Sequence, residues 1–589
     1  MRSPSLASLL LVALSAQAAC QRPTTGARDT ISGVRLNVDS TAGASTRCFT
    51  DSAGAVPRRV DTEPYVAADP RDPNRLLAVW QTHGGGGALI QVVSTQDGGR
   101  TWTAPRAAPI NVCAGGPRGV GRAASDPWAT FGPDGRAYVS AIAWTPATAD
   151  GPDETSALVV VASPDGGRTW DQPVAAAIAP SPHVAYDNLA ITADHTRPGT
   201  LYAATTHATE PSEGGYYGQL GFTKSVDGGR SWEAMRTITA AVNGERIGAP
   251  QIQVDARTGR LYSVYHRSRS GRANVGVMIS EDAGATWSSE AIAAPHVRPA
   301  RVMHPVAGRR FVLADDIVQA VVSPVTGELL IAYADARLGG GTPSVSVVRS
   351  PDGRRWSAPA DVSQIPDAAW LPAIAMSSTG QAAVTFYTSS FERENGASFM
   401  AVMLRRLPSS ATDPVTAAAN VVAQAPLEWP GDYTSLVASG SAFVAVYGMH
   451  SDIHARRLSD DRDDIISASR AFSAAYVRGD VDAMMALYTP DAVILPPNRP
   501  IIRGTDALRR YWTLPAELRV VEHAATPDSI VVVGNTAYDW GTYRVRTINA
   551  AGEGGERTTL GKYVIVWVRD PRDARLGWRM HVDMWNAGS

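Results

Sequence analysis

Short apolar runs separated by Gly, Pro and Asp clusters dominate the first 457 residues of the chain. The runs come in pairs, such as EPYVAADP with NRLLAVWQ and DNLAITAD with GTLYAATTH. Short runs rich in β-branched and aromatic residues and bounded by turn formers are typical of β-strands. Such a pair occurs seven times along the chain. We therefore expect seven sheet modules, and six if one of them is irregular.

The pattern changes after His454. The segment DDIISASRAFSAAYVRGDVDAMMALY has apolar residues at helical spacing, an acidic first turn and a break at Gly479. A third helix, TDALRRYW, is followed by the strand-like runs SIVVVGNTAYDWGTYRV, GKYVIVWVRD and GWRMHVDMWN. Helices followed by an antiparallel sheet predict an α+β domain.

A second repeat marks five of the sheet modules: STQDGGRTW, SPDGGRTW, SVDGGRSW, SEDAGATW and SPDGRRW. Its Asp can accept hydrogen bonds from N–H groups of its own turn, its Gly residues allow positive φ, and its Trp can pack between neighbouring sheets. We interpret the repeat as a structural turn without a catalytic role. The Asp and Trp of the five copies are Asp97 and Trp102, Asp165 and Trp170, Asp227 and Trp232, Asp282 and Trp287, and Asp352 and Trp356.

The pattern Ser-x-Asp-x-Gly-x-Thr-Trp is the Asp box, or bacterial neuraminidase repeat, and residues 47–457 resemble the sialidase-like β-propellers that carry it. Residues 458–589 resemble the SnoaL-like family of nuclear-transport-factor-type cones, through GDVDAMMALYTPDAVILPPNRPIIRGTDALRRYW and the closing GWRMHVDMWN. The expected fold class is therefore multidomain, an all-β propeller followed by an α+β cone. One fold hosts many functions, so the resemblance fixes no activity.

The N-terminus is typical of an exported protein. Residues 1–19 combine one Arg, an apolar run and small residues, which predicts a signal peptide, and residues 20–46 are polar and predict a flexible tether. Cys20 can be the lipidated residue of a lipoprotein box, or can be lost if the signal is cleaved at the Ala-x-Ala site before it. In an oxidising compartment Cys48 and Cys113 can pair. We expect a periplasmic or cell-surface lipoprotein, or a secreted protein, that contacts a membrane only through an N-terminal lipid.

Composition excludes one class of partner. The 54 basic and 56 acidic residues give a net charge of −2, and 44% of the chain is apolar. A globular protein without excess positive charge has no electrostatic footprint for nucleic acid. No nucleic-acid partner is expected.

The resemblance to sialidases implies an arginine triad, whose first member lies in an Arg-Ile-Pro motif. The corresponding place reads DTEPYV, with Glu63 where a cation is required, and Arg-Ile-Pro occurs nowhere in the chain. Sialic acid is therefore not supported as a substrate. Alignment of the seven inner-strand starts gives Glu63, Asp126, Asp187, Ala249, Asp316 or its neighbour Asp315, Trp370 and Asp432.

In a propeller these starts should meet at one mouth of the central channel. The ends of the second strands add His83, His207, His266 and His450 beside Asp335. Carboxylates with imidazoles can bind a divalent cation, calcium where oxygen dominates and zinc or manganese where histidine contributes. Two alternatives remain open: the carboxylates cap turns, or a pair such as Glu63 with Asp126 or Asp432 hydrolyses a glycoside.

A loop with three arginines, HRSRSGR, is the nearest feature to an anion clamp. Its members, Arg267, Arg269 and Arg272, lie close together in the sequence. We expect a solvated loop here in place of a sialidase-type triad.

In relatives of the cone, a cavity between helices and sheet binds or converts small molecules. The residues expected to face it are Tyr488, Trp512, Tyr538, Trp540, His581 and Asp583. Strand alternation places His581, Asp583 and Trp585 on one face, where a His/Asp acid–base pair is possible. The alternative is that Trp540, Trp567 and Trp585 are core residues and Asp583 is satisfied by a backbone or Tyr partner.

These expectations combine into a binding, recognition or scaffold protein. Its propeller would present a glycan, protein or cation site, and its cone a small-molecule pocket or a dimer contact. The alternative is an enzyme at the channel mouth, either a glycoside hydrolase or a metal-dependent enzyme.

Overall fold

The structure of the protein is a computed structural model. The part of the chain that it describes comprises residues 33–37, 60–84, 87–117, 120–144, 156–181, 184–209, 217–240, 242, 245–269, 272–297, 317–337, 342–391, 398–413, 415, 419–426, 428, 430–458, 461–533, 536–549, 556–569 and 578–587. Of the predicted residues, Cys20, Cys48, Asp315 and Asp316 lie outside these ranges.

Seven four-stranded antiparallel sheets, called blades 1 to 7 here, make up the first part of the chain. In blades 1 to 6 the strands follow one another from the inner to the outer edge. The strands of blades 1 to 3 are β2 (Val60–Asp69), β3 (Asp72–Gly84), β4 (Gly87–Thr95) and β5 (Arg106–Ala107); β6 (Ala123–Phe131), β7 (Ala137–Trp144), β8 (Ser156–Ser163) and β9 (Val174–Ile178); and β10 (Val184–Ala193), β11 (Leu201–Thr209), β12 (Tyr217–Ser225) and β13 (Arg236–Ala240).

Blades 4 to 6 have the same order, and blade 7 differs in its outer strand. The strands of blades 4 to 6 are β14 (Arg246–Val254), β15 (Leu261–Arg269), β16 (Arg272–Ser280) and β17 (Ala291–Val297); β18 (Gln319–Val322), β19 (Leu329–Asp335), β20 (Ser344–Ser350) and β21 (Ala360–Asp361); and β22 (Ala368–Met376), β23 (Ala382–Phe391), β24 (Ser398–Arg406) and β25 (Asn420–Pro426). Blade 7 consists of β26 (Ser435–Ser439), β27 (Ala442–Met449), β28 (Asp452–Leu458) and the N-terminal strand β1 (Val34–Arg35).

The inner strands form a closed ring. Each of β2, β6, β10, β14, β18, β22 and β26 contacts the next, and β26 contacts β2 again. A closed ring protects the sheet edges that an open arrangement would expose. The prediction of seven blades is confirmed.

The start of the chain completes the last blade. Val34 pairs with Ala455 and Arg35 with His454, so β1 lies outermost in blade 7. Leu36 and Asn37, which follow, are buried. The tether predicted for residues 20–46 is corrected here, because residues 34–37 belong to the propeller.

A buried hydrogen-bond network joins this strand to blades 1 and 7. The amide Nδ2 of Asn37 donates to Asp61 at 2.6 Å and to Asp452 at 2.8 Å. Asp61 also accepts from the indole of Trp80 at 3.0 Å and from the hydroxyl of Thr82. Strand β1 is thus fixed by side chains as well as by its two backbone pairings.

The Asp boxes lie between the third and fourth strands of their blades. Asp227 accepts hydrogen bonds from Arg230 N at 3.0 Å, Ser231 N at 3.0 Å and the Ser231 hydroxyl at 2.5 Å, and the Trp232 indole donates to Gly229 O at 3.2 Å. The Ser231 hydroxyl and N–H lower the pKa of Asp227 to about 2. Asp97, Asp165, Asp282 and Asp352 accept hydrogen bonds within their own turns as well.

The described part of the C-terminal unit has three helices and one mixed sheet. The helices are α1 (Asp461–Arg478), α2 (Val481–Met485) and α3 (Thr505–Trp512), as the sequence predicts. The strands are β29 (Tyr488–Leu495), β30 (Ile502–Arg503), β31 (Leu518–Val533), β32 (Thr536–Asn549), β33 (Arg557–Arg569) and β34 (Trp578–Ala587), in the sheet order β30-β29-β34-β33-β32-β31. Helix α1 packs against β31 and β34, and its apolar side joins the core between helices and sheet.

Two further observations concern the exported-protein prediction. Cys113 is disulfide-bonded, and its partner lies beyond the described ranges. Among the described residues, every helix is too short or too polar to span a membrane.

Candidate functional site

The channel mouth is marked by an unusual backbone conformation that repeats around the ring. Within the described ranges, five inner strands carry a β-bulge, and each bulge contains one residue other than Gly with φ between 48° and 57°. Pro follows four of these residues and disfavours a helical conformation before it, so the backbone is strained. The five are Glu63, Asp126, Asn188, Ala249 and Leu371. The sequence alignment placed Asp187 and Trp370 at these points. The structure shows that the bulge residues are instead their neighbours, Asn188 and Leu371.

Side chains of the preceding blade hold two of these bulges. Asp126 N donates to the Gln81 amide oxygen at 3.0 Å, and Ala249 N donates to the Thr206 hydroxyl at 3.2 Å. In the strand pairing of their own blades, Gln81 lies opposite Thr62 and Thr206 lies opposite Asp187, the residues just before the bulge residues. Neighbouring blades therefore stabilise the strained mouth.

The carboxylates at the mouth are close enough to repel one another. Burial, then the charges of Asp126 and Asp432, raise the pKa of Glu63 well above its usual value. Burial, then the charge of Asp187, raises the pKa of Asp126 to about 7. Burial raises the pKa of Asp187, although Asn188 and Arg246 oppose this. Glu63, Asp126, Asp187 and Asp432 therefore lie near enough to influence one another, and Asp316 lies outside the described residues.

The histidines do not form the second ring that the sequence analysis expects. His83 pairs with Val60, His207 with Tyr186 and His266 with Gly248. These partners lie three, two and one residues before the bulge residue of their strands, so the imidazoles sit at different heights along the strands. His450 is in the turn after β27, and Asp335 is ion-paired with Arg337 at 2.7 Å.

The divalent-cation prediction gains no geometric support from this arrangement. Within the described ranges, no three His, Cys, Asp or Glu side chains are grouped as a metal site requires.

The three arginines of HRSRSGR line a small cavity at the end of the β15–β16 hairpin, with a volume of about 310 Å³. Arg267 is mostly buried and pairs with Glu245 at 2.5 Å and Glu290 at 3.2 Å. Its charge is therefore compensated inside the protein, which differs from a triad directed at a ligand carboxylate.

The cone contains a second, largely aromatic cavity. Its volume is about 270 Å³, and it lies between α1, α3 and the sheet. Six aromatic residues of its wall are Phe472, Tyr476, Tyr511, Trp512, Tyr543 and Trp585. Such a cavity, apolar with few polar groups, is the usual form of a small-molecule site.

One buried carboxylate faces this cavity. Asp583 is 6% exposed and accepts a hydrogen bond from the Tyr488 hydroxyl at 2.6 Å. Burial raises the pKa of Asp583 to about 6, with a contribution from the charge of Asp539. Asp539 itself accepts from Tyr563 at 3.0 Å and from the Trp567 indole at 3.1 Å. Asp583 can therefore change its protonation state near neutral pH.

The structure adds a residue that the sequence analysis missed. His523 on β31 lines the cavity beside Phe472 and Tyr476. The Ser473 hydroxyl donates to Ser469 O at 3.0 Å, so it accepts from His523 Nδ1 at 2.8 Å. This assigns the proton to Nδ1 and leaves Nε2 as an acceptor. Burial lowers the pKa of His523 to about 4, so the ring is neutral at pH 7.

Three predicted cavity residues lie elsewhere. Tyr538 and Trp540 are 45% and 40% exposed, because alternation on β32 turns Ala537 and Asp539 inward instead. The pairing of β33 with β34 shifts register at His581, which lies opposite no residue of β33. Because of this shift, Met580 and Asp583 both face the cavity. His581 contacts Thr489 at 3.1 Å and Asp491 at 3.5 Å instead. The predicted His581/Asp583 pair is wrong for this reason.

Residues 469–575 match the family model of the SnoaL-like domain. The C-terminal unit is a SnoaL-like domain. The match begins inside α1, covers α2, α3 and β29 to β33, and ends before β34, which carries Asp583. No curated protein matches the chain significantly.

Solved structures resemble each part of the chain at low identity. A ketosteroid isomerase-like protein from Erwinia carotovora atroseptica is 20% identical, with 22% of this chain and 98% of that chain covered and a TM-score of 0.20. A protein of unknown function from Dyadobacter fermentans is 14% identical, covering 70% and 96%, with a TM-score of 0.37. Hadza microbial sialidase Hz136 is 16% identical, covering 66% and 74%, with a TM-score of 0.38. These likenesses say nothing about substrate or activity.

Proposed function

We propose that the protein is an exported binding protein whose SnoaL-like domain takes up a small aromatic molecule bearing a hydroxyl group, while the propeller serves as a recognition or scaffold unit. The observation that carries this proposal is the aromatic cavity of about 270 Å³ with Asp583 and His523 in its wall. Aromatic walls favour a planar ligand through stacking and burial of apolar area.

The polar groups of the cavity define the ligand further. At pH 7 the neutral His523 presents Nε2 as an acceptor, and ionised Asp583 accepts hydrogen bonds only. A ligand hydroxyl can donate to either group, whereas a ligand carboxylate would meet the charge of Asp583. A phenol or enol of two rings therefore fits better than an aromatic acid.

Export is supported by sequence and chemistry together. The N-terminal signal pattern predicts secretion, and the disulfide at Cys113 is of the kind that persists in oxidising compartments. Lipidation at Cys20 remains part of this proposal and is tested by mass spectrometry of the mature N-terminus.

Calorimetric titration of the full chain with 2-naphthol and with naphthalene tests the proposed ligand class. Saturable binding of 2-naphthol with a negative heat-capacity change, and at least about tenfold weaker binding of naphthalene, is expected, because one hydrogen bond to a charged acceptor contributes about 1.5–3 kcal/mol. Equal affinities would refute the role of Asp583 and His523 as ligand acceptors.

Binding of 2-naphthol should strengthen as the pH rises through about 6, the value to which burial raises the pKa of Asp583. Below that pH the carboxyl group is neutral and is a weaker acceptor for the ligand hydroxyl. Tyr488 and Asp539 face Asp583 in the same surroundings, and His523 stays neutral across this range. The Asp583→Asn variant should show a flat profile, and an unchanged profile in that variant would contradict the assignment.

A second proposal concerns the outer face of the cone's sheet, and the occupant proposed is a second copy of the chain. Val531, Tyr538, Trp540, Val564 and Met584 are all 38–45% exposed, and strand pairing places them next to one another. Near this face, Arg544 and Arg546 already pair with Glu522. An exposed apolar patch whose neighbouring charges are already paired favours contact with the same apolar patch of a second copy. It offers no free charge to a charged partner.

Replacing Trp540 with Arg should convert a dimer into a monomer with little effect on the thermal midpoint. Light scattering after size-exclusion chromatography measures the mass directly. The control is Thr542→Arg on the same face at an already polar position, which should leave the mass unchanged. A wild-type chain that is monomeric at all concentrations would exclude this contact.

A further inference from the structure

A cavity at the channel mouth lies between the inner ends of blades 2 and 3, in a different domain from the aromatic cavity. Its volume is about 250 Å³. Two carboxylates, Asp126 and Asp187, line it together with Ser125, Tyr186 and Trp144. The wall of this cavity is therefore both polar and aromatic.

The charge of this region is predominantly negative. Glu63 and Asp432 interact electrostatically with Asp126, so the carboxylates of the cavity have further anionic neighbours behind them. The charge of Arg246 opposes this at Asp187. A ligand that brings positive charge would relieve repulsion that the folded protein otherwise retains.

Tyr186 is a second and independent sign of a ligand. Its side chain is only 6% exposed, and it lines the cavity. Among the described residues its hydroxyl makes no hydrogen bond, and burial alone raises the pKa of Tyr186 to about 12. The ring is buried but the hydroxyl is accessible from the cavity, where a ligand group would provide the hydrogen-bond partner that the described residues do not.

Aromatic rings are also found at the channel mouth. Trp128 stacks on Tyr65 with ring centroids 3.8 Å apart and lies 6.0 Å from Tyr433, and Trp144 belongs to the cavity wall. Aromatic faces attract cations, most strongly where water is excluded. Carboxylates, a hydroxyl and aromatic faces are together the groups that recognise an organic ammonium ion.

We propose that this cavity binds the primary ammonium group of a small molecule, with Asp126 and Asp187 as hydrogen-bond acceptors, the Tyr186 hydroxyl as a third acceptor and Trp144 as an aromatic wall. A metal ion fits less well, because the described residues hold no group of three metal ligands. A neutral sugar would leave the negative charge uncompensated. The proposal is independent of the one made for the cone.

Binding should release protons near neutral pH. Because Asp126, with a pKa of about 7, shares the site with Glu63 and Asp187, whose pKa values are also raised, part of the cluster is protonated at pH 6. An ammonium ion favours the ionised carboxylates, so affinity rises with pH through about 7. Tyr65, Tyr433 and Tyr186 also face this region, and burial raises the pKa of each above its usual value, so they stay neutral.

The probes are n-butylammonium and n-butanol, which match in size and differ in charge. Titration of the full chain, followed by tryptophan fluorescence and calorimetry in two buffers, should show saturable binding of n-butylammonium with proton release, and no binding of n-butanol. Absence of n-butylammonium binding, or equal binding of n-butanol, would overturn the proposal.

Variants separate recognition from folding. Asp126→Asn should weaken n-butylammonium binding at least about tenfold while raising the thermal midpoint at pH 8, because it removes a buried repelling charge. Tyr186→Phe should weaken binding about fivefold without lowering the midpoint, since the hydroxyl has no partner to lose. The exposed Asp72→Asn is the matched control and should change neither quantity. Unchanged binding in both cavity variants would refute the site even if n-butylammonium binds elsewhere.

Discussion

Replacing Ala525 with Trp should abolish binding of 2-naphthol. Ala525 lies on β31 in the wall of the aromatic cavity, two residues from His523 and paired with Tyr543. An indole in a space of about 270 Å³ occupies the volume that a two-ring ligand needs. We expect at least a hundredfold loss of affinity, about 2.7 kcal/mol, in calorimetric titration.

The neighbouring residue supplies the matched control. Ala524 points to the opposite, exposed face of β31, so Ala524→Trp adds the same side chain outside the cavity. Its affinity for 2-naphthol should equal that of the wild type. Equal loss in both variants would mean that the strand, and not the cavity, had been disturbed.

Replacing Asp61 with Ala should destabilise the propeller strongly. Asp61 is 3% exposed and accepts from Asn37, Trp80 and Thr82, so its removal leaves three buried donors without their acceptor. Each such donor costs about 1–3 kcal/mol, and the sum for the three is at least about 3 kcal/mol. The loss also loosens β1, whose Asn37 is fixed through this carboxylate.

Scanning calorimetry of the full chain measures this effect, because the propeller transition should move to lower temperature while the transition of the SnoaL-like domain stays in place. The exposed Asp72→Ala should change the unfolding free energy by less than about 1 kcal/mol. An Asp61→Ala propeller as stable as the wild type would show that β1 and its hydrogen-bond network do not stabilise the propeller.

Much of the fold could be predicted from local sequence. The Asp, Gly and Trp of the turn repeat, together with paired apolar runs, specify hairpins whose number gives the seven blades. The helices of the cone follow from 3.6-residue periodicity and from Gly479 at the break. Strand β1 could not be found in this way, because two residues carry no periodic pattern and its partner lies more than 400 residues later in the sequence.

The candidate sites were harder to predict because bulges break the alternation that sequence analysis assumes. One bulge displaces His581 from the face of Asp583, and others shift the mouth positions from Asp187 to Asn188 and from Trp370 to Leu371. His523 was missed because β31 begins at Leu518, eleven residues before the apolar run that predicted it. The acidic character of the mouth could nevertheless be predicted, since Glu63, Asp126 and Asp432 stand at or just before the apolar runs that predict the inner strands.

The most direct test of the proposed function is a crystal structure of the full chain with 2-naphthol. We expect density for one molecule between α1 and the sheet, stacked among Phe472, Tyr511 and Trp585, with its hydroxyl within hydrogen-bond distance of Asp583 or of His523 Nε2. Density only on the outer face of the sheet, or an empty cavity at saturating 2-naphthol, would contradict the account.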